Sequence, residues 1–228
     1  MSIESLVAAC VSQIESSHAA REQAIGVSRG LIRSCANSIR AAHRAEFAEA
    51  EHLLAEAAAL AAKLRAATAD SPEIRHAGYS QDALKEFAEA HLVLAFLAGR
   101  EPPAAEAIGV EPAAYLNGLA EAASELRRAI LDGLRRGETA RGETLLRLID
   151  DVYSELVTVD FPDAVTGGLR RTTDALRAVL ERTRGDMTAA IRQDQLVAAM
   201  RELEGRLPLT PHPPASSPVL GEGESNAF

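Results

Sequence analysis

The chain is poor in the residues that build sheets. Only 4% of its 228 residues are aromatic, and valine and isoleucine are sparse beside alanine and leucine. Strands favour β-branched and aromatic side chains, whereas Ala and Leu favour helix, so a sheet-based fold is excluded first. There are two cysteines, Cys10 and Cys35, in helical stretches and without metal-ligand spacing. That argues against a disulfide scaffold and for unpaired buried thiols in a reducing cytosol. No apolar run comes near the roughly 18 residues of a membrane span. The N-terminal stretch MSIESLVAACVSQIESSH has no basic leader segment, so a signal peptide is not expected. A soluble, cytoplasmic protein without a membrane partner is the expectation. A Gly-rich phosphate loop is missing as well, and the six histidines lack the setting of a nucleophile elbow or triad.

Positive charge is scarce overall, with a net charge of −9 and a pI near 5.2. Taken whole, this disfavours phosphate binding, which needs local positive potential. The distribution says more than the sum. Residues 26–45 contain no acid, and Arg29, Arg33, Arg40 and Arg44 fall there. At about 100° per residue they share a helical stripe roughly 60° wide, flanked by His43. A solvated helix face is the plain explanation, and a phosphate-binding strip is the functional one.

What the chain does have is helical periodicity, in about seven segments. They are read at 3–35, 37–67, 74–98, 112 to the RRGE sequence, 139–159, 163–184 and 187–206. The ADSPE, GREPPAAEAIGVEP and DFPD stretches separate them, and Gly185 closes the sixth. Pro112 suits a helix first turn. Residues 1–206 read as one all-α domain. Residues 207–228, rich in Pro, Ser and Gly and without periodicity, read as a disordered tail.

Acidic residues on two of these helices are the candidate site. Glu86 and Glu89 share one face of the third segment, whose remainder from His91 onward is apolar on all sides. A helix without a polar face predicts burial between subunits, hence an oligomer larger than a dimer. The fourth segment has one apolar face (Leu116, Leu119, Ala123, Leu126, Ile130, Leu134) opposite Glu121, Glu125, Arg128 and Asp132. Ordinary pairs, Lys85 with Glu89 and Glu125 with Arg128, would explain these charges blandly. Clustered instead, Glu86, Glu89, Glu121 and Glu125 would repel one another unless a cation sat between them. Hard oxygen ligands suit Mg²⁺ or Mn²⁺, which can serve phosphodiester hydrolysis. Two Glu-x-x-His pairs, Glu15/His18 and Glu49/His52, have di-iron spacing but come in the wrong chain order for such bundles.

These residues resemble the translin family. GVEPAAYLNGLAEAASELRR at 109–128 is similar to its Gly-Ile/Val-x-Pro turn, Tyr-Leu-x-Gly and Glu-Leu-x-Arg sequence. LKEFAEA at 84–90 resembles the Gln-Glu-Tyr-Val-Glu-Ala segment of translin-associated factor X, the catalytic branch. SIRAAHRAEFAEAEHLLAEA at 38–57 is similar to the early basic helix, and LRRTTDALRAVLERTRGD at 169–186 to the closing helix. The resemblance spans about residues 5–185. It implies an all-α, seven-helix translin-like bundle and a hollow homo-oligomer, with an octamer as the suggested form. The implied ligand is single-stranded RNA or DNA, and the implied activity of the factor X branch is Mg²⁺-dependent endoribonuclease. Carried over by position, the catalytic and metal-binding acids are Glu86, Glu89 and Glu121. Glu125 is a further metal ligand at a position acidic in both branches. The family's aspartate falls on Glu121, a departure that adds one methylene. The translin branch has an apolar residue there, so the resemblance places the chain on the catalytic side. Arg29, Arg33, Arg40, His43 and Arg44 are the expected nucleic-acid contacts. A non-catalytic single-stranded RNA- or DNA-binding protein is the alternative.

Overall fold

The computed structural model describes residues 2–206, and the expected tail at 207–228 lies outside them. Among the described residues there is no strand, and no helix is long and apolar enough to cross a membrane. The all-α expectation holds, and among the described residues the seven expected segments resolve into nine helices. Six are long: α1 (Ile3–His43), α2 (Phe47–Ala67), α4 (Gly78–Ala98), α6 (Pro112–Leu134), α7 (Thr139–Leu156) and α9 (Leu169–Arg206). Three are single turns: α3 (Pro72–Arg75), α5 (Ala105–Ile108) and α8 (Asp163–Thr166).

Boundaries moved where a local polar side chain served the helix instead of ending it. A break was expected at residue 36, but Asn37 keeps its side chain on the helix surface, where its Oδ1 accepts from Arg40. Ser38 donates to the carbonyl of Ala50 on α2 at 2.8 Å. The chain turns instead at Ala45, whose φ is +60°, and the Glu46 N–H closes the end on the Ala41 carbonyl. Gly185, expected to stop a helix, lies inside α9, since one helical Gly costs only about 1 kcal/mol. The real break precedes it, at Gly167 and Gly168, both left-handed at φ +62° and +84°.

The chain divides into two compact units, Met1–Ala190 and Ile191–Phe228. In the first, α1 runs exposed from Ile3 and begins to bury side chains at Ala24. From there Ala24, Val27, Leu31, Cys35 and Ile39 recur at helical spacing on its inner face. Helix α4 lies against α1, α2 and α6, and α7 lies on α6. This overturns the expectation that α4 sits between subunits. Leu92, Val93, Leu94, Ala95 and Leu97 are all buried by the chain's own helices, so a helix without a polar face is here the central helix of a single chain. Described residues 191–206 of the second unit have Leu196, Val197, Met200 and Leu203 exposed.

The contact that matters for the site is α4 on α6. A Cβ added at Gly118 would stand 2.7 Å from the Lys85 carbonyl oxygen, 3.0 Å from Ala88 Cβ and 3.1 Å from the Glu89 amide nitrogen. Only a glycine lets the two backbones meet this closely. Asn117 beside it is buried, donating to the carbonyls of Ala113 and Thr166 and accepting from the Thr172 hydroxyl. The α8–α9 turn is thereby tied to α6. Residue 121 lies one helical turn beyond Gly118, so the close approach delivers Glu121 to the acids of α4.

Candidate metal centre

Glu86, Glu89 and Glu121 converge, each offering a carboxylate oxygen within 4.8 Å of the others. Glu89 is 7% exposed, while Glu86 and Glu121 are half-buried. Burial, reinforced by the charges of Glu86, Glu121 and Glu125, pushes the Glu89 carboxyl up to about 8. Burial likewise raises Glu86, with Lys85 opposing and Glu121, Asp82 and Glu125 adding to the rise. The cluster is therefore a set of carboxyl groups whose joint ionisation the fold opposes by desolvation and mutual repulsion.

Its near neighbours are not those expected from spacing. Lys85 Nζ lies 2.8 Å from Glu121 Oε1 across the helix interface and 3.8 Å from Glu86 Oε1. The ordinary pair expected with Glu89 is not formed. Burial works to lower Lys85, but the hydrogen bond and charge of Glu121, with Glu86 and Asp82, leave it raised. Glu125, expected as a fourth ligand, stands outside the group of three, and its Oε2 accepts from His43 Nε2 at 3.0 Å. That hydrogen bond holds Glu125 below the usual carboxylate range. Arg128, its expected partner, lies 4.0 Å from Asp132.

His43 is the correction among the expected nucleic-acid contacts. Its side chain is 1% exposed and turned inward to Glu125, with Nδ1 buried and unpartnered. It cannot meet a phosphate from the outer face of α1. Arg29, Arg33, Arg40 and Arg44 are exposed as expected. Arg40 donates to Asn37 Oδ1 at 2.5 Å and Arg44 Nε to Glu46 at 2.8 Å. The inner face of α1 reaches the acids too. Burial, then the charges of Glu86 and Glu89, push the Cys35 thiol up to about 12. His91 is a neutral core group, held down to about 4 by burial and set edge-on to Phe87 at 4.6 Å. The Glu-x-x-His pairs form no site: Glu15, His18, Glu49 and His52 are exposed, and His52 pairs with Glu56.

Two contributors are not visible in the sequence. Local spacing offers Lys85 a partner on its own helix, whereas its partner on α6 depends on the approach at Gly118. His43 flanks the arginines in sequence, but as a weakly polar ring between the buried Ile39 and the chain turn it is equally fit to face inward.

The oxygens suit a hard divalent ion. Ligands bound to one Mg²⁺ at about 2.1 Å lie about 3 to 4 Å apart, so small side-chain rotations would close the set of three. Beside it, a cleft of about 590 Å³ shares Lys85 and Glu121 and is also lined by Gln81, Asp82, Asn117 and Thr172.

An all-α bundle with carboxylates converging from two facing helices is the class of protein that fold and site define. No family model matches the chain. It is 30% identical over 186 residues to the uncharacterized protein MJ0175 of Methanocaldococcus jannaschii, covering 81% of this chain and 82% of that protein. The structure of AfC3PO in complex with duplex RNA is similar at 33% identity and TM-score 0.74, covering 82% of this chain and 97% of that one. AfC3PO alone gives TM-score 0.73 at the same identity and coverage. Apo-NeC3PO shares the fold, with TM-score 0.71 and 18% identity over 81% of this chain and 96% of that one. The chain belongs to the translin family, of the C3PO type.

Proposed function

We propose that the chain is a Mg²⁺- or Mn²⁺-dependent endoribonuclease of the factor X branch, acting on RNA within a homo-oligomeric shell. The convergence of Glu86, Glu89 and Glu121 carries this reading. The acid at 121 supports the catalytic branch, given the apolar residue that the resemblance implies for translin. That AfC3PO was solved with duplex RNA supports RNA as the ligand class. Single-stranded RNA remains the expected substrate, with single-stranded DNA as a further ligand.

Held by the three carboxylates, the divalent ion would polarise a phosphoryl oxygen and supply a water acidic enough to attack near neutral pH. In the hydrolysis a water oxygen bonds to phosphorus, one ribose oxygen leaves, and a proton passes from the first to the second. Glu125 is suited to take that proton, because His43 fixes one of its oxygens and keeps it ionised while the side chain stays 39% exposed. Glu89 holds its own proton up to about 8 when no cation is present, so metal uptake should release protons.

Assembly is supported by apolar surface that one chain leaves uncovered. Ile3, Leu6, Val7, Val11 and Ile14 on α1, and Val157, Phe161 and Val165 around α8, are all exposed. An octamer is the form suggested by the resemblance. The two cysteines are unpaired, Cys10 exposed and Cys35 buried, which suits a cytoplasmic location.

One observation favours a second reading, a non-catalytic RNA-binding protein: Lys85 already neutralises part of the cluster through Glu121. The two are separated by incubating the purified protein with labelled single-stranded or duplex RNA in Mg²⁺, Mn²⁺ or EDTA. Cutting in either metal and not in EDTA is expected. Binding without cutting supports the second reading, and no binding at low salt removes RNA from both.

A further inference from the structure

Resting on the nuclease reading, we propose that Lys85 is a catalytic residue. Its ammonium exchanges Glu121 for the scissile phosphate when the carboxylates take up a divalent ion. Three features of the site lead there. Lys85 Nζ is on Glu121 at 2.8 Å and near Glu86 at 3.8 Å. Among the described residues, Lys85 is the one cation acting on Glu86 and Glu89. Lys85 and Glu121 also line the adjoining cleft, so the amine stands where the cluster opens into a space of nucleotide size.

Charge counting shows what the cation contributes. Three carboxylates with one divalent ion leave a net charge of −1, and Asp82 and Glu125 stand nearby. A phosphodiester bringing a further negative charge would be repelled. Lys85 offsets the residual charge of the three carboxylates and the ion. A lysine suits this exchange because its ammonium is a point charge on a flexible four-carbon stem, able to turn from one oxygen to another. Nor is the pair required to hold α4 against α6. That contact is made by Gly118 on the backbone of Lys85 and Glu89.

The test uses the full chain with Lys85→Gln and Lys85→Arg, both first checked by thermal melting. Mn²⁺ titrated into the RNA-free protein should bind roughly tenfold tighter in K85Q, because Glu121 no longer has a competing cation. Single-turnover RNA cleavage should fall about 100-fold in K85Q, as for removal of one donor to a developing oxyanion. RNA affinity in EDTA should change little, and K85R should recover part of the cleavage rate. Tighter Mn²⁺ binding with parental cleavage overturns the proposal, leaving Lys85 as a mere competitor for Glu121. Unchanged metal affinity and cleavage also overturn it, leaving a surface ion pair. A parent protein that cuts no RNA removes the nuclease reading and this role together, whereas a parent that cuts beside an equally active K85Q removes the role alone.

Discussion

The carboxylate cluster and the arginine stripe of α1 are both concentrations of like charge, and the fold treats them oppositely. Glu86, Glu89 and Glu121 are brought within 4.8 Å of one another and partly desolvated. Arg29, Arg33, Arg40 and Arg44 are spread over some four turns along the exposed face of α1, where water screens them. The first arrangement is held against its own repulsion by apolar packing and by the glycine contact beneath it. The second requires nothing of the fold. A feature that opposes stability and is nevertheless built with close backbone contact is the better candidate for chemistry. A feature that leaves stability alone suits reversible contact with a polyanion.

The sharpest way to break this contrast is at Glu121. Glu121→Gln keeps the shape and deletes one of the three charges. If the cluster holds the reaction's metal, single-turnover cleavage should fall roughly 10³-fold, or about 4 kcal/mol. RNA binding in EDTA should persist or tighten. Glu121→Asp should cut at least as well as the parent if the extra methylene only shifts the metal. Parental cleavage by Glu121→Gln would remove residue 121 from the site.

Next in size is the support beneath the cluster. Gly118→Val places a branched side chain against the Lys85 carbonyl and the Glu89 amide, backbone atoms that cannot turn aside. A loss of about 3 kcal/mol is expected in urea unfolding, within the range of overpacked contacts. Metal affinity should fall with it. Gly142→Ala is the control, because its close neighbours are Met187 Sδ and Cε at 2.9 and 3.0 Å, the end of a flexible side chain. That variant should stay within about 1 kcal/mol of the parent. Equal losses at both glycines would mean that Gly118 has no special part.

Legibility in the sequence followed the range of the interaction. The acids on α4 and α6, the start of α6 at Pro112 and the exposed arginines depend on one helix at a time, and period and turn chemistry display them. The burial of α4 inside a single chain, the Lys85–Glu121 pair and the inward turn of His43 depend on which helices meet and how closely. Gly118 decides one of these, and its role is invisible until Lys85 and Ala88 are known to face it. Gly185 misled for a related reason. It can end a helix, and does not do so when the flanking turns already have packing partners.

Glu89 lets the cost of the cluster be measured directly. Its folded-state value of about 8 lies above the ordinary carboxylate value, so the folded protein keeps a proton that the unfolded chain releases. Stability should therefore fall as pH rises from about 4.5 to about 8 and level off above that. Glu86, raised in the same direction, adds to the slope. In EDTA at pH 8, Glu89→Gln should be more stable than the parent by about 2 kcal/mol and should show a shallower pH dependence. Added Mn²⁺ should raise the melting temperature of the parent and act little on the variant. A parent whose melting temperature is flat between pH 5 and 9 would show that the acids are not under strain.

The smallest expected effect belongs to the arginine stripe. Arg40 and Arg44 are exposed, and their present partners are local: Asn37 for Arg40 and Glu46 for Arg44. Such surface contacts contribute little, so replacing both with Ala should change stability by less than about 0.5 kcal/mol. Their effect should appear only when a polyanion is present. Each phosphate contact releases counterions, so losing two should lower the slope of log K against log salt by about 1.4 for single-stranded RNA. Affinity at low salt should drop about tenfold, with little dependence on RNA sequence. His43→Ala separates the outer face of α1 from the inner one, because its ring reaches Glu125 and not solvent. That variant should keep the parental salt slope and lose cleavage through Glu125. If the double arginine variant retains both affinity and slope, the RNA path lies elsewhere on the molecule, and the stripe is the plain solvated face that its exposure already allows.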